Sequence, residues 1–190
     1  MPKNVWLLHF VPVFLGATPV PLTVHISLKN NESSQWLETA VAMSNKRFAV
    51  AGVRFQVARQ LGFVAPGPEI TSVAERNALS SRVAQDGAIH VFVVDRLANK
   101  DRSGSWIGGV HWRHRGRRYV IVSRSDARPD TLAHELGHWF GLKHEKSPDN
   151  LMTSPGRRAK ARLGPRQAAR VRARLRALVR RGVVKPIRAE

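Results

Sequence analysis

Apolar and polar residues alternate through Leu22, Thr23, Val24, His25, Ile26, Ser27 and Leu28. A period of two predicts a strand with Leu22, Val24, Ile26 and Leu28 facing the core and His25 on the solvent side. Beyond Asn30-Asn31 the period changes. Leu37, Val41, Ser44 and Phe48 form one helical stripe, with Ser33 or Ser34 able to cap its start and Gly52 to end it. Residues 53–58 (VRFQVA) alternate again. Strand, helix and strand with short joints predict a βαβ unit. After the break at Pro66-Gly67-Pro68, Ser72-Val73-Ala74-Glu75 has the form of a capping box. It opens a shorter helix that carries Leu79 and Val83 and stops at Asp86-Gly87. Residues 88–94 (AIHVFVV) are apolar on both faces, as a covered central strand requires.

From Ser103 to Trp112 the apolar Trp106, Ile107, Val110 and Trp112 are interleaved with Gly104, Gly108 and Gly109. Glycines in a strand mark a bulge or the close approach of another backbone. Residues 118–122 (RYVIV) predict the last strand, and Asp126 or Asp130 can cap the helix that follows. His111 and His114 read as exposed strand histidines rather than ligands of a second metal. Near the end, Ala168, Val171, Leu175, Leu178 and Val179 share one face, so residues 165–181 predict an amphipathic helix opened by Pro165.

One stretch carries chemistry. It runs His134-Glu135-Leu136-Gly137-His138-Trp139-Phe140-Gly141-Leu142-Lys143-His144, with Asn150-Leu151-Met152 shortly after. On a helix His134 and His138 project from one face a turn apart, which suits two ligands on one zinc ion. Glu135 stands beside the first ligand, where its carboxylate can reach a metal-bound water without binding the metal. Gly141 can take a positive φ, end the helix and swing the chain back, returning His144 as a third ligand. Three protein ligands leave one position open, the pattern of a catalytic zinc site.

This segment resembles the signature of the metzincin zinc endopeptidases, H-E-x-x-H-x-x-G-x-x-H followed by a methionine turn. Met152 lies eight residues after His144, a spacing similar to that of the matrixins, whereas Glu145 is similar to the astacin pattern. The subfamily stays open. Ser154 stands where astacins and serralysins place a tyrosine that can approach the metal, and Tyr119 is the only tyrosine in the chain. The resemblance implies an α/β domain (an α+β mixed sheet) with an active-site helix, a Met-turn and a C-terminal helix beneath it. It implies one catalytic Zn²⁺ held by His134, His138 and His144, with Glu135 as general base and Met152 supporting the ligands from below. It also implies an antiparallel edge strand, here Trp106, Ile107, Gly108, Gly109 and Val110, that pairs with an extended protein or peptide substrate. The pocket beyond the scissile bond is expected near residues 151–155.

The 190 residues fit one domain: an apolar segment at 1–19, a catalytic part at 20–156, and a basic C-terminal helix at 157–190 packed on the same domain. Residues 5–17 (VWLLHFVPVFLGA) fit either a short secretory leader or an extra strand. The run is too short to span a bilayer as a helix, which argues against an integral membrane protein. Export is slightly favoured over a cytoplasmic location, and the chain is expected to be a monomer. The absence of cysteine excludes disulfides, a thiolate nucleophile and a cysteine that caps zinc. The formal charge is +19, and no acid stands between Arg157 and Glu190. An arginine-rich helix of this kind supports an alternative, a catalytically inactive metzincin-like protein that binds nucleic acid or another polyanion. No sequence-reading DNA-binding motif accompanies it.

Overall fold

The computed structural model describes residues 16–27, 33–64, 66–153 and 161–187. Most of the apolar run at 5–17, and Ser154 with the residues up to Lys160, lie outside them. In chain order the elements are β1 (Thr18–Ser27), α1 (Ser33–Phe48), β2 (Val53–Phe63), β3 (Glu69–Ile70), α2 (Val73–Ala78), β4 (Ile89–Val94), β5 (Arg96–Leu97), β6 (Gly109–His114), β7 (Arg117–Ser123), α3 (Thr131–Trp139) and α4 (Pro165–Arg180). Five strands form one mixed sheet in the order β2-β1-β4-β7-β6, and β3 pairs with β5 beside it. The neighbours β2, β1, β4 and β7 are parallel, and β6 is an antiparallel edge.

The expected β1-α1-β2 unit forms, with β1 and β2 as parallel neighbours. α1 buries Leu37, Ala40, Ser44 and Phe48, and the buried Ser44 hydroxyl donates to the Ala40 carbonyl at 2.7 Å. A 3-10 turn at Ala49–Ala51 follows, and Gly52 takes φ +63 as the expected stop. β2 outruns its expected end at Ala58. The pairing steps from Leu22–Val57 to Thr23–Arg59, so Ala58 is an extra residue in a bulge. The bulge shifts the register, and alternation read along the sequence is lost there while the strand continues. The capping box of α2 is present: Glu75 N–H donates to Ser72 Oγ at 3.2 Å, and Ser72 N–H to Glu75 Oε2 at 2.8 Å.

β1 corrects the expectation for His25. Thr23, His25 and Ser27 are 1%, 3% and 3% exposed, so both faces of the strand are covered. One face joins the main core with α1, α3 and α4, and the other lies against the cluster of Phe63, Phe92, Tyr119 and Ile121. His25 stacks on Phe92 with ring centroids 4.3 Å apart. Asp86 satisfies the polar atoms in a chain: His90 Nε2 lies 3.1 Å from its Oδ1, and His90 Nδ1 lies 2.9 Å from His25 Nε2. With His90 donating to the carboxylate, its Nδ1 accepts from His25. Burial, reinforced by His90, holds the His25 imidazole down to about 4. Burial also lowers His90, although Asp86 opposes it.

α4 presents the expected stripe. Ala168, Val171, Leu175 and Leu178 are buried in the core that also holds Leu151, Met152 and Leu163. Its first turn is closed by Gln167, whose Oε1 accepts from Gly164 N–H at 2.9 Å. Among the described residues no helix is long and apolar enough to cross a membrane.

Candidate metal centre

α3 carries the histidine motif through the middle of the fold. Every residue from Thr131 to Trp139 is buried except His138, so the helix holds its place by packing on all sides. Asp130 occupies the N-cap position, but its side chain makes no cap hydrogen bond. Nor does Asp126 cap the helix: its carboxylate accepts from Ser123 Oγ at 2.9 Å and lies 3.7 Å from Arg96 Nε. At this helix start Thr131 instead turns its hydroxyl back to accept from Arg128 N–H at 2.9 Å.

The helix stops as expected at Gly141, which takes φ +88. Gly141 N–H donates to His138 O at 2.9 Å and Leu142 N–H to Gly137 O at 3.0 Å, the bond pair of a Schellman motif. This reversal does two jobs. It sends the chain back toward the ligand face with His144, and it places the Leu142 carbonyl 2.9 Å from His138 Nδ1. The Leu151 carbonyl lies 2.8 Å from His134 Nδ1 in the same way. A carbonyl only accepts, so both Nδ1 atoms carry protons and both Nε2 atoms present lone pairs.

Those lone pairs converge. The Nε2 atoms of His134, His138 and His144 are 3.1, 3.0 and 3.3 Å apart. Three nitrogens about 2.0–2.1 Å from a tetrahedral zinc stand roughly 3.3 Å from one another, so the donor set fits the ion. Lone pairs aimed at one point repel unless a cation or a proton lies between them, and the tautomers set by Leu142 and Leu151 leave two of the three without a proton there. Among the described residues this is the one grouping of three potential ligands close enough for a shared metal.

Met152 packs against Gly137 of α3 and is fully buried. Its N–H donates to Asn150 Oδ1 at 2.8 Å, and its carbonyl accepts from Glu145 N–H at 3.1 Å. Asn150 is doubly bonded to Gln167 of α4, at 2.9 and 3.1 Å, so the helix and the turn are one unit.

A cleft of about 740 Å³ opens over the three histidines. Glu135 lines it and is 6% exposed. The edge strand begins later than expected, at Gly109, with Trp106, Ile107 and Gly108 ahead of it, and Gly108 and Gly109 do what their presence suggested. A Cβ at Gly109 would stand 2.9 Å from Thr131 Cγ2 and 3.0 Å from Glu135 Cγ, and one at Gly108 would stand 2.9 Å from the Asp126 carbonyl oxygen. Side chains there would push β6 off α3. Ile107, Gly108, Gly109 and Val110 line the cleft, whereas Trp106 does not and instead lies under the Arg96 guanidinium at 4.0 Å.

His111 and His114 do not gather a second metal site, and His111 is not an exposed strand residue. It is half-buried in the cleft wall, and its Nε2 is buried without a hydrogen-bond partner. Burial, with Arg113, His138 and Arg118 nearby, holds it down to about 3. Tyr119 is buried far from any ligand role, donating its hydroxyl to the Arg76 carbonyl at 2.6 Å. Sequence reasoning missed Gly137: a Cβ there would stand 2.4 Å from Met152 Sδ, so the helix and the Met-turn touch at this residue. A glycine inside a helical motif was the available signal.

The model of a reprolysin-like family of metallopeptidases (M12B) matches residues 71–164, the span from the α2 cap through the metal centre to the start of α4. The fold is similar to metalloproteinase-II from Bacteroides fragilis, at 16% identity and a TM-score of 0.59 over 83% of this chain and 53% of that one. It is also similar to archaemetzincin from Methanopyrus kandleri, at 14% identity and a TM-score of 0.56 over 83% of this chain and 96% of that one. The chain spans about half the length of the first of these. No curated protein matches the sequence. The expected resemblance to metzincin-like zinc metallopeptidases is borne out by the family match and the fold.

Proposed function

From this metzincin-like family and fold, we propose that the protein is a zinc-dependent endopeptidase in which Glu135 is the general base. The observation that carries the reading is the convergence of three Nε2 atoms within 3.0–3.3 Å, with two of the rings held in the metal-binding tautomer by backbone carbonyls. Zinc held there supplies Lewis acidity, acidifying water and polarising a carbonyl oxygen.

The chain's own groups do the rest. Glu135 sits next to His134 on α3 and lines the same cleft, which supports its carboxylate as the group that takes a proton from the attacking water. The same carboxyl then gives that proton to the departing amine nitrogen. β6 contributes orientation. Among the described residues it is the edge of the sheet, beside Glu135, and an extended peptide can add to it through main-chain hydrogen bonds while the glycines keep its backbone close to the helix. A cleft walled by a strand edge accepts the middle of a chain, which is the reason for favouring cleavage within peptides over removal of terminal residues.

Cleavage of a peptide library by the purified full chain, with and without a chelator, tests the reading. Cuts inside peptides that vanish with chelator and return with zinc are expected. A protein that holds zinc and cuts no peptide overturns it.

A further inference from the structure

Beyond the cleft the hairpin of β6 and β7 gathers positive charge, and among the described residues none of its arginines is in an ion pair. Arg113 lies directly opposite Arg118 in the antiparallel register, and His114 opposite Arg117. Like charges facing each other across strands destabilise a hairpin. Arg174 of α4 joins them, and these residues with Arg115 line a concavity of about 390 Å³ that, among the described residues, no acid lines. The ion pairs of Asp86, Asp95, Asp101 and Asp126 lie elsewhere, with Arg59, His90, Arg96, Lys100 and Arg124. Arg118 is half-buried against Trp139, 3.8 Å above its ring. Burial, with Arg174, Arg113 and Arg181 adding to it, lowers its guanidinium to about 10.

The turn repeats the message. Arg115 and Gly116 form a two-residue loop with φ of +47 and +74. That turn favours asparagine, aspartate or glycine at both positions, and an arginine there carries a backbone penalty. The fold thus accepts cross-strand repulsion, a desolvated guanidinium and a disfavoured turn residue in one place.

The concavity also adjoins the cleft over the three histidines. Arg113 lines both it and the cleft. Along β6, Gly109 beside Glu135 and Arg113 are four residues apart, about 13 Å of strand. A peptide paired with β6 at the cleft runs straight onto this hairpin.

We propose that the β6–β7 hairpin and Arg174 form an anion-binding subsite that captures an acidic segment of the peptide substrate, about four residues to one side of the scissile bond. The substrate class rests on the peptidase reading above. Carboxylates in that segment pair with guanidiniums that have no acidic partner among the described residues, and the field of the cluster draws them in.

The test uses the full chain carrying Glu135→Gln, so that binding is read without cleavage. Labelled peptides of equal length carry four glutamates before a shared central sequence, four after it, or none. Anisotropy titrations at low salt should show one acidic peptide binding about tenfold tighter than the neutral one, with the preference shrinking as salt rises. Adding Arg113→Gln and Arg174→Gln should reduce that preference to about twofold or less. Arg115→Gly, which relieves the turn, should weaken the preference while raising the thermal midpoint, so lost binding cannot be ascribed to misfolding. Equal binding of the three peptides, a preference for both acidic peptides alike, or a preference that survives the substitutions overturns the proposal. So does a DNA or heparin oligomer of equal charge that outcompetes the acidic peptide, since the site would then be for phosphate or sulfate polyanions. If the parent chain cuts none of these peptides but binds the acidic one through these arginines, the subsite stands and the peptidase reading falls.

Discussion

Gly137 and Met152 are in contact so close that a Cβ on the glycine would stand 2.4 Å from the methionine sulfur and 3.1 Å from its methyl carbon. Helix propensity alone says that Gly137→Ala stabilises α3 by about 1 kcal/mol. The packing says the opposite, because Met152 is fully buried and its turn is held by Asn150. We expect a net destabilisation of about 1–3 kcal/mol from overpacking. Chemical denaturation of the two proteins decides between the signs.

Zinc content is the second expectation. The parent chain should hold one zinc, and His138→Ala should lose most of it, since the substitution removes one of three converging nitrogens. Metal analysis after dialysis checks this, and an unchanged zinc content in the variant rejects the ligand set.

Glu135→Gln separates proton transfer from metal binding. The variant should keep its zinc and its fold, because the three histidines and their carbonyl partners are untouched. Peptide cleavage should fall by about 10²–10⁴-fold, the usual contribution of a general base. Cleavage at the parental rate would remove Glu135 from the mechanism.

Acid should loosen the sheet through His25 and His90. The folded His25 is held at about 4 against an ordinary value of 6.5, so between those values the unfolded chain binds more protons than the folded one. The stability this neutral histidine provides is therefore complete above about pH 6.5 and falls as pH drops toward 4, by up to about 3 kcal/mol. His25→Leu should be less stable at pH 7, because His90 loses its partner, yet show a shallower decline in acid. Thermal midpoints of both proteins from pH 7.5 to 4, compared as a difference, remove the shared contribution of the other histidines. Parallel curves would show that His25 is not the source.

Several features were legible because short stretches of chain set them. The spacing of His134 and His138, the stop at Gly141, the capping box of Ser72 and Glu75, and the apolar stripe of α4 each depend on backbone geometry over a few residues. Even the bond pair that closes α3 and aims the Leu142 carbonyl at His138 follows from a glycine at the right offset. The fold class could be read for the same reason, since periods of 2 and 3.6 alternate along the chain.

The rest was decided by what covers what. Alternation in β1 says that two faces differ, but not that a second layer of Phe63, Phe92 and Tyr119 closes over the polar one and buries His25. The bulge at Ala58 exists in the pairing of two strands and breaks the very period used to find strands. His111 enters the cleft because β6 lies against α3, an approach that depends on two glycines meeting Thr131, Glu135 and Asp126. Arg113, Arg118 and Arg174 become one cationic surface only when a hairpin and a distant helix are brought together. Local torsions and hydrogen bonds are written residue by residue, so the sequence by itself determined the three-histidine motif and its helix. Burial and electrostatic neighbourhood depend on distances between segments far apart in the chain, and only the tertiary structure decided those.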